Sequence, residues 1–375
     1  MIALSHDELA RYSRQINLRA LGEEGQQRLK AARVLCIGAG GLGSPAALYL
    51  AAAGVGTIGI VDDDAVDVSN LHRQLLHDTA DVQRRKVDSA AERLTALNPH
   101  ITIETHVARL NAINAEEMIT PYDIVIDGSD NLPTRYLSND VCVWLKKPNV
   151  YGSVHQFEGQ ASIFAPHLGA PCYRCLFPEP PPPGVIPSCA EAGVLGVVPG
   201  IIGTIQALET IKLITGIGQT LLARLLHLDA LTLRLREFNI RRDPHCPVCG
   251  QAPTITEPAE YEQSCQTDAA IPEISAIELQ SMLWREERIT LLDVREPFEW
   301  EIARINDSIL IPMGDIPDRL GELRRDNKIV VYCKSGVRSA QAIAFMHRQG
   351  FSQLLNLRGG IDAWREQIDP SLRKY

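Results

Sequence analysis

The 375-residue chain is short of positive charge: 37 lysines and arginines stand against 46 aspartates and glutamates, a formal net charge of -9. Neutralising nucleic-acid phosphates takes a clustered excess of cation, so no nucleic-acid partner is expected, and a basic partner face suits the chain better. A long unbroken apolar run is also lacking. The richest stretch, Gly193 to Ile205, is interrupted by Pro199 and four glycines and runs on into Gln206 and Glu209, so no membrane span is expected. The opening residues, MIALSHDELARYSRQ, carry charge where a secretion signal needs an apolar core, which makes the cytoplasm the expected compartment. There is no internal repeat. What is present, 45% hydrophobic and 22% charged residues, is enough for the substantial cores of a globular enzyme. Two domains are expected at this length. Nine cysteines in a reducing compartment point to metal binding and catalysis rather than disulfides.

Along the chain, Asp7 to Ala31 reads as helical. Ala32 to Asp67 then runs apolar segment, glycine loop, Ala/Leu-rich helix, and second apolar segment ending in acid, the order of a βαβ unit. YDIVIDGSDN (122–131) and PNVYGSV (148–154) supply further strands, predicting an α/β fold with a largely parallel sheet. FPEPPPPGVIPSC (177–189) is a loop, because consecutive prolines remove donors and block a helix. VPGIIGTIQALETIKLITG reads as a helix that Gly216 ends. Residues 251–271 are polar and aperiodic and read as a linker between a domain of residues 1–250 and a smaller α/β domain of residues 272–375.

Gly38, Gly40 and Gly43 form G-x-G-x-x-G after a strand and at a helix start, which brings backbone N–H groups close to a phosphate. Asp62 closes the next strand, where an acid can bond ribose hydroxyls. Alone, this motif favours an NAD(P)- or flavin-dependent oxidoreductase. The surroundings argue otherwise: Arg73 in DVSNLHRQ, Lys86 in RRKVDSA and Asp130 at the end of a strand make a cluster that hydride transfer does not need. Attack on the α-phosphorus of ATP does need it, to offset charge on the phosphoryl oxygens and to hold Mg²⁺.

RYSRQ, GAGGLGSP, VDDDAVDVSNLHRQ, RRKVDSA and DGSDN, in this order, resemble the adenylating enzymes of the MoeB/ThiF family, relatives of ubiquitin-activating E1 enzymes, with their Rossmann-like adenylation fold. The resemblance covers about the first 250 residues. It implies that Gly38, Gly40, Gly41, Gly43, Asp62, Ser69, Asn70, Leu71, His72, Arg73, Lys86, Asp130 and Asn131 bind ATP and its Mg²⁺, and that Arg14 reaches the phosphates from a partner subunit in a homodimer. It further implies a ubiquitin-like sulfur carrier protein as substrate, whose C-terminal Gly-Gly carboxylate becomes an acyl adenylate.

Cys172-x-x-Cys175 and Cys246-x-x-Cys249 are two short-spaced pairs, the second in the knuckle HCPVCG. Four thiolates so arranged suit a closed tetrahedral Zn²⁺ site of structural type, with His245 surplus. Cys189 follows the proline run. The family resemblance gives its counterpart the role of taking the activated acyl group, and a loop cysteine with no required role is an equally open reading. Cys36 and Cys142 lie in apolar surroundings and read as core residues.

Cys333 follows the strand KIVVY, and KSGVRSA leads into a helix. Successive N–H groups and a helix start are thereby turned toward the sulfur, with Lys334 and Arg338 adding positive charge, an arrangement that favours a thiolate or persulfide anion. LLDVREPFEWE, YCKSGVRSA and LRGGIDAW together resemble a rhodanese domain. The sequence departs from it at EIARINDSILIP, where many rhodaneses have Gly-His-Ile-Pro-Gly-Ala. Related phosphatases need a longer loop with Arg six places after the Cys; here Arg338 is five places on, which favours sulfur. The two halves together imply an adenylyltransferase and sulfurtransferase, with Cys333 loaded by a cysteine desulfurase or thiosulfate. Such carriers serve molybdopterin, thiamine thiazole, cysteine or tRNA thiolation pathways. A non-catalytic scaffold that holds the carrier is the remaining alternative.

Overall fold

The computed structural model describes residues 2–181, 193–259, 271–285 and 288–375. They divide into two compact units, one of residues 2–181 and 193–259 and one of the residues from 271 onward. Cys189 and Cys265 lie outside the described residues.

The first unit holds an eight-stranded sheet in the order β3-β2-β1-β4-β5-β6-β7-β8. Its strands are β1 Arg33–Ile37, β2 Thr57–Val61, β3 Thr102–His106, β4 Ile124–Asp127, β5 Asn149–His155, β6 Glu158–Phe164, β7 Arg224–Asp229 and β8 Arg234–Asn239. β3 to β5 run parallel, and β6, β7 and β8 add on antiparallel. β1 and β4 sit centrally with both faces covered, which is why RVLCI and IVID are nearly continuous apolar runs rather than alternating ones. Around the sheet lie α1 His6–Arg11, α2 Ser13–Ile16, α3 Gly22–Ala31, α4 Gly43–Ala53, α5 Lys86–Leu97, α6 Ala115–Ile119, α7 Leu132–Trp144, α8 Tyr173–Leu176 and α9 Val197–Thr215. The stretch 7–31 is thus three short helices, not one. Breaking after Arg11 lets Tyr12 bury its ring and accept a hydrogen bond from the Asn98 amide at 2.8 Å.

Helix α9 is long and apolar enough to cross a membrane by length and composition. In this structure it packs along α4, β5 and β6. Gln206 is buried and donates to the carbonyls of Asp127 (2.8 Å) and Val150 (2.9 Å), while Glu209 accepts from the Leu221 N–H (2.7 Å). The helix supplies hydrogen bonds to the sheet as well as apolar cover. Gly203 allows its close approach: a Cβ there would stand 2.3 Å from the Leu42 carbonyl oxygen, just before α4.

The second unit is a five-stranded parallel sheet in the order β11-β10-β12-β13-β9. Its strands are β9 Glu273–Ile274, β10 Ile289–Asp293, β11 Ile309–Leu310, β12 Lys328–Tyr332 and β13 Leu354–Leu357, and its helices are α10 Ala276–Trp284, α11 Pro297–Ile302, α12 Ile316–Arg319, α13 Val337–Arg348 and α14 Gly360–Gln367. β12 is central and buried, and Cys333 stands at its carboxyl end, where open parallel sheets place their ligands. At the departure from the rhodanese pattern, aligning the shared isoleucine at Ile305 puts the motif's second glycine at Asp307. That residue has φ 60°, a conformation Asp tolerates better than most side chains.

Alanine inside a helix is normally favoured over glycine by up to about 1 kcal/mol. Gly203→Ala is expected to do the opposite, destabilising the first unit by about 2 kcal/mol through overpacking against Leu42. Urea unfolding of the variant checks the sign.

Candidate functional site

The first site lies along the carboxyl edge of β1, β2 and β4. The chain leaves β1 through Gly38, turns, and enters α4 at Gly43, where a Cβ would lie 1.9 Å from the Gly38 carbonyl oxygen. Only glycine permits this turn, and it seats the first helical N–H groups beside the sheet edge. Asp62, after β2, fixes the loop: one carboxylate oxygen accepts from the Ala39 N–H at 2.8 Å and the other from the Asp64 N–H at 2.9 Å. Burial raises the Asp62 pKa above its ordinary value, against the opposing pull of Lys86, whose Nζ is 4.0 Å away. Lys86 opens α5, is itself buried, and pairs with Asp64 at 2.7 Å.

Gly40 faces Gln74, and Gly41 lies between Pro199 and Arg73. The Arg73 guanidinium donates to the Ser69 carbonyl at 2.9 Å and has no carboxylate partner among the described residues, so its charge is uncompensated. His72 is exposed and Leu71 half-buried beside it. Asn70 uses its side-chain oxygen to accept from the Asp67 N–H at 3.3 Å, and Asn131 uses its own to cap α7 through the Thr134 N–H at 3.0 Å. Asp130 is exposed, and its carboxylate makes no hydrogen bond among the described residues.

Asp130 is held in place by residues that carry no signal in the sequence. Asp127, fully buried at the end of β4, accepts from the Ser129 N–H (3.0 Å) and hydroxyl (2.5 Å). Arg135, buried one turn into α7, donates to the Ser129 carbonyl at 3.0 Å and to Ser153 at 3.2 Å. The turn carrying Asp130 is therefore braced from both sides by a buried acid and a buried cation. A charged residue within a helix gives no sequence signal of burial, so Arg135 was not legible.

Arg14 is not brought to this edge. It is exposed on α2, and its neighbour Gln15 donates to the Ala53 carbonyl at the far end of α4. An eleven-residue helix is about 16 Å long, which separates Arg14 from its own chain's glycine loop.

Cys172, Cys175, Cys246 and Cys249 place four sulfurs within 4.8 Å of one another, and His245 is exposed outside the group. Cys172 is 3.4 Å from Cys246 and 3.9 Å from Cys175, and Cys175 is 3.4 Å from Cys249. A tetrahedron with Zn–S of about 2.3 Å has edges of about 3.8 Å, so the donor set and its spacing fit zinc. Hydrogen bonds led by that of Cys172 lower the Cys246 and Cys175 pKa values, with Cys246 opposing the shift at Cys175. The Asp243 N–H also donates to the Cys175 sulfur. Arg174 anchors the first pair by a buried ion pair with Asp140 at 2.8 Å. Residues 251–255 are not free of the knuckle: the N–H groups of Gln251, Thr254 and Ile255 donate to the carbonyls of Pro244 and Pro247. Cys36 and Cys142 are buried in the core, where burial pushes the Cys36 thiol up to about 12.

In the second unit the Cys333 sulfur accepts from the Gly336 N–H at 3.1 Å, and the Ser339 hydroxyl lies 3.4 Å away. Asn356, on β13, accepts from Ser339 at 2.7 Å and donates to the Gly336 carbonyl at 3.1 Å, fixing the loop. The start of α14 docks on the same loop, with the Ile361 and Asp362 N–H groups donating to the carbonyls of Cys333 and Lys334. This is why LRGGIDAW accompanies the cysteine loop. Both cations of the loop are held by neighbours. Arg338 forms a two-pronged pair with Glu299 at 2.7 and 2.9 Å, and Lys334 is engaged by Tyr375. Burial works to raise the Glu299 pKa, but Arg338 and the Glu296 N–H outweigh it and hold the carboxyl below its ordinary value.

Residues 12–248 match the ThiF family, and residues 275–367 match the rhodanese-like domain. The chain belongs to the ThiF family. It is 50% identical to the probable adenylyltransferase/sulfurtransferase MoeZ of Mycobacterium tuberculosis, over 100% of this chain and 97% of that protein. It is 40% identical to the adenylyltransferase and sulfurtransferase MOCS3 of Arabidopsis thaliana, over 99% of this chain and 86% of that one. The sulfur carrier protein adenylyltransferase of Thermus thermophilus is 53% identical over 69% of this chain and 97% of its own length. Among solved structures, E. coli MccB with MccA-N7isoASN superposes at a TM-score of 0.58 and 22% identity, over 66% of this chain and 76% of that one, a likeness of fold. As a ThiF-family chain with a rhodanese-like domain, the protein is an adenylyltransferase and sulfurtransferase, and ATP use follows from the adenylyltransferase class.

Purified protein is expected to carry about one zinc per chain, and Cys246→Ser, which opens the tetrahedron, to lose it. Metal analysis of both proteins checks this; full zinc content in the variant would contradict it.

Proposed function

We propose that this protein adenylates the C-terminal glycine of a ubiquitin-like sulfur carrier and then converts it to a thiocarboxylate with sulfur held on Cys333. The observation that carries the reading is the pairing, in one chain, of two edges. One is a phosphate-accepting edge with an uncompensated Arg73 and an unbonded Asp130; the other is a thiol loop whose N–H and O–H groups face sulfur. Full-length likeness to proteins named adenylyltransferase/sulfurtransferase supports it.

The carrier carboxylate attacks the α-phosphorus of ATP, the bond to the β-phosphate oxygen breaks, and pyrophosphate leaves. Amide groups at the start of α4, Arg73 and Lys86 offset the charge on the phosphates. Lys86 must share itself between Asp64 and the nucleotide. Asp130, held out by Asp127 and Arg135, would carry Mg²⁺, which supplies further neutralisation when bound. Arg14, too far from its own loop, serves the site of a second copy, so the working form is a homodimer. The zinc knuckle is structural.

The Cys333 persulfide anion then attacks the acyl carbon, AMP leaves with the electron pair, and an acyl disulfide remains. A thiol reductant cleaves it, releasing the carrier thiocarboxylate. Joining the two sites in one chain raises their effective concentration and keeps a hydrolysable adenylate near its acceptor. Cys189, outside the described residues, is a candidate for holding the acyl group in between.

Asp130→Ala and Lys86→Ala are expected to lower carrier-dependent exchange of pyrophosphate into ATP by about 100-fold or more. Cys333→Ala should leave that exchange within about twofold while abolishing thiocarboxylate formation. NAD binding without exchange in the unaltered protein would contradict the reading.

A further inference from the structure

The cysteine loop of the second unit offers two cations, and both are already engaged. Arg338 is gripped by Glu299 at 2.7 and 2.9 Å. Glu299 in turn accepts from the Tyr375 hydroxyl at 3.1 Å, and that hydroxyl accepts from Arg295. The Lys334 ammonium lies 4.7 Å from the centroid of the Tyr375 ring and donates to the Tyr375 main-chain carbonyl. Tyr375 is half-buried and packs with Leu372 against the cluster around Trp364. One residue thus occupies Lys334 directly and braces the pair that occupies Arg338.

Sulfur donors differ in what they ask of such a loop. Loading from thiosulfate requires the Cys333 thiolate to attack the outer sulfur while sulfite leaves with the bonding electrons, and the sulfonate-like end of the donor needs a cation to hold it. Loading from a protein persulfide requires the same attack on a terminal sulfur while the donor's cysteine thiolate leaves. Its only charge sits on the sulfur being transferred, which the Gly336 N–H and Ser339 hydroxyl already face.

We propose that Tyr375 is the donor-selecting residue of the sulfur-transfer site: by holding its ring over Lys334, it withholds that loop cation from small oxyanions and favours a persulfide presented by another protein. The inference rests on the sulfur-transfer reading above. Tyr375 makes no hydrogen bond to the Cys333 sulfur and acts through Lys334, so it is a positioning residue.

The test measures how strongly sulfate, an oxyanion with no sulfur to give, protects Cys333 in the full chain from alkylation by iodoacetamide, read by mass spectrometry of the Cys333 peptide. Removing the ring face gives up a cation–π contact, so Tyr375→Ala is expected to bind sulfate at least about threefold more tightly. Tyr375→Phe keeps the ring and stays near the unaltered protein. Adding Lys334→Ala to Tyr375→Ala should cancel the gain, which a merely structural role would not do. Tyr375→Leu, with apolar packing but no ring face, takes the place of the alanine variant if that one fails to fold. In parallel, the thiosulfate KM for persulfide formation on Cys333 should fall in Tyr375→Ala, while loading from a protein-bound persulfide should not improve. Unchanged or weaker sulfate protection, or a gain that survives loss of Lys334, would overturn the proposal while leaving sulfur transfer intact. If Cys333 of the unaltered protein takes sulfur from neither donor, the sulfur-transfer reading falls and the proposal with it.

Discussion

The adenylation edge depends on one crossing of backbone on backbone. At Gly43 the chain passes so near the Gly38 carbonyl that no side chain fits, and this alone brings the start of α4 to the end of β1. Asp62 then ties Ala39 down, so the amide groups are fixed before any nucleotide arrives. From that crossing follow the position of Arg73, which lies against Gly41, and the docking of α9, whose Gly203 meets the residue before α4. The anion site and the core packing behind it are consequences of the same close contact. A change that opens one loosens the other.

The thiol site uses the same logic with different parts. A buried central strand ends in a loop whose Gly336 N–H turns to the sulfur, and neighbours on β13 and α14 help hold the loop. In both units the candidate site lies at the carboxyl end of a parallel strand, where backbone N–H groups are left for a ligand once the sheet is satisfied. The charges around them are set by their partners: buried Asp127 and Arg135 on one side, buried Glu299 and half-buried Tyr375 on the other.

Much of this was legible in the sequence. Glycines at fixed offsets between an apolar run and an Ala/Leu-rich helix dictate the turn, because few other residues permit it. Paired cysteines at two-residue spacing in two distant segments predict a cluster, and the four sulfurs do meet. Cys333 after KIVVY falls at the end of β12 because an apolar run of that length can only be a buried strand there. What was not legible is pairwise. Glu299, Tyr375, Arg135 and Asp140 are charged or polar residues whose partners are remote in sequence or folded onto them by a turn, and nothing in their immediate neighbours marks them as engaged. For the same reason the holders of Lys334 and Arg338 were not legible. The helical reading of 7–31 did not show where the chain breaks, because the contact of Tyr12 with Asn98 joins residues remote in sequence.

The proposed reaction needs an activated carboxyl on the carrier to meet an anionic sulfur on Cys333. The most direct measurement loads Cys333 with isotopically labelled sulfur, removes the donor, and adds the carrier and ATP in a single turnover without reductant. Intact mass analysis should then find the carrier joined to this chain through a disulfide at Cys333 that contains the label, and only when ATP is present. Labelled Cys333 left untouched while unlabelled thiocarboxylate appears on the carrier at full yield would contradict it.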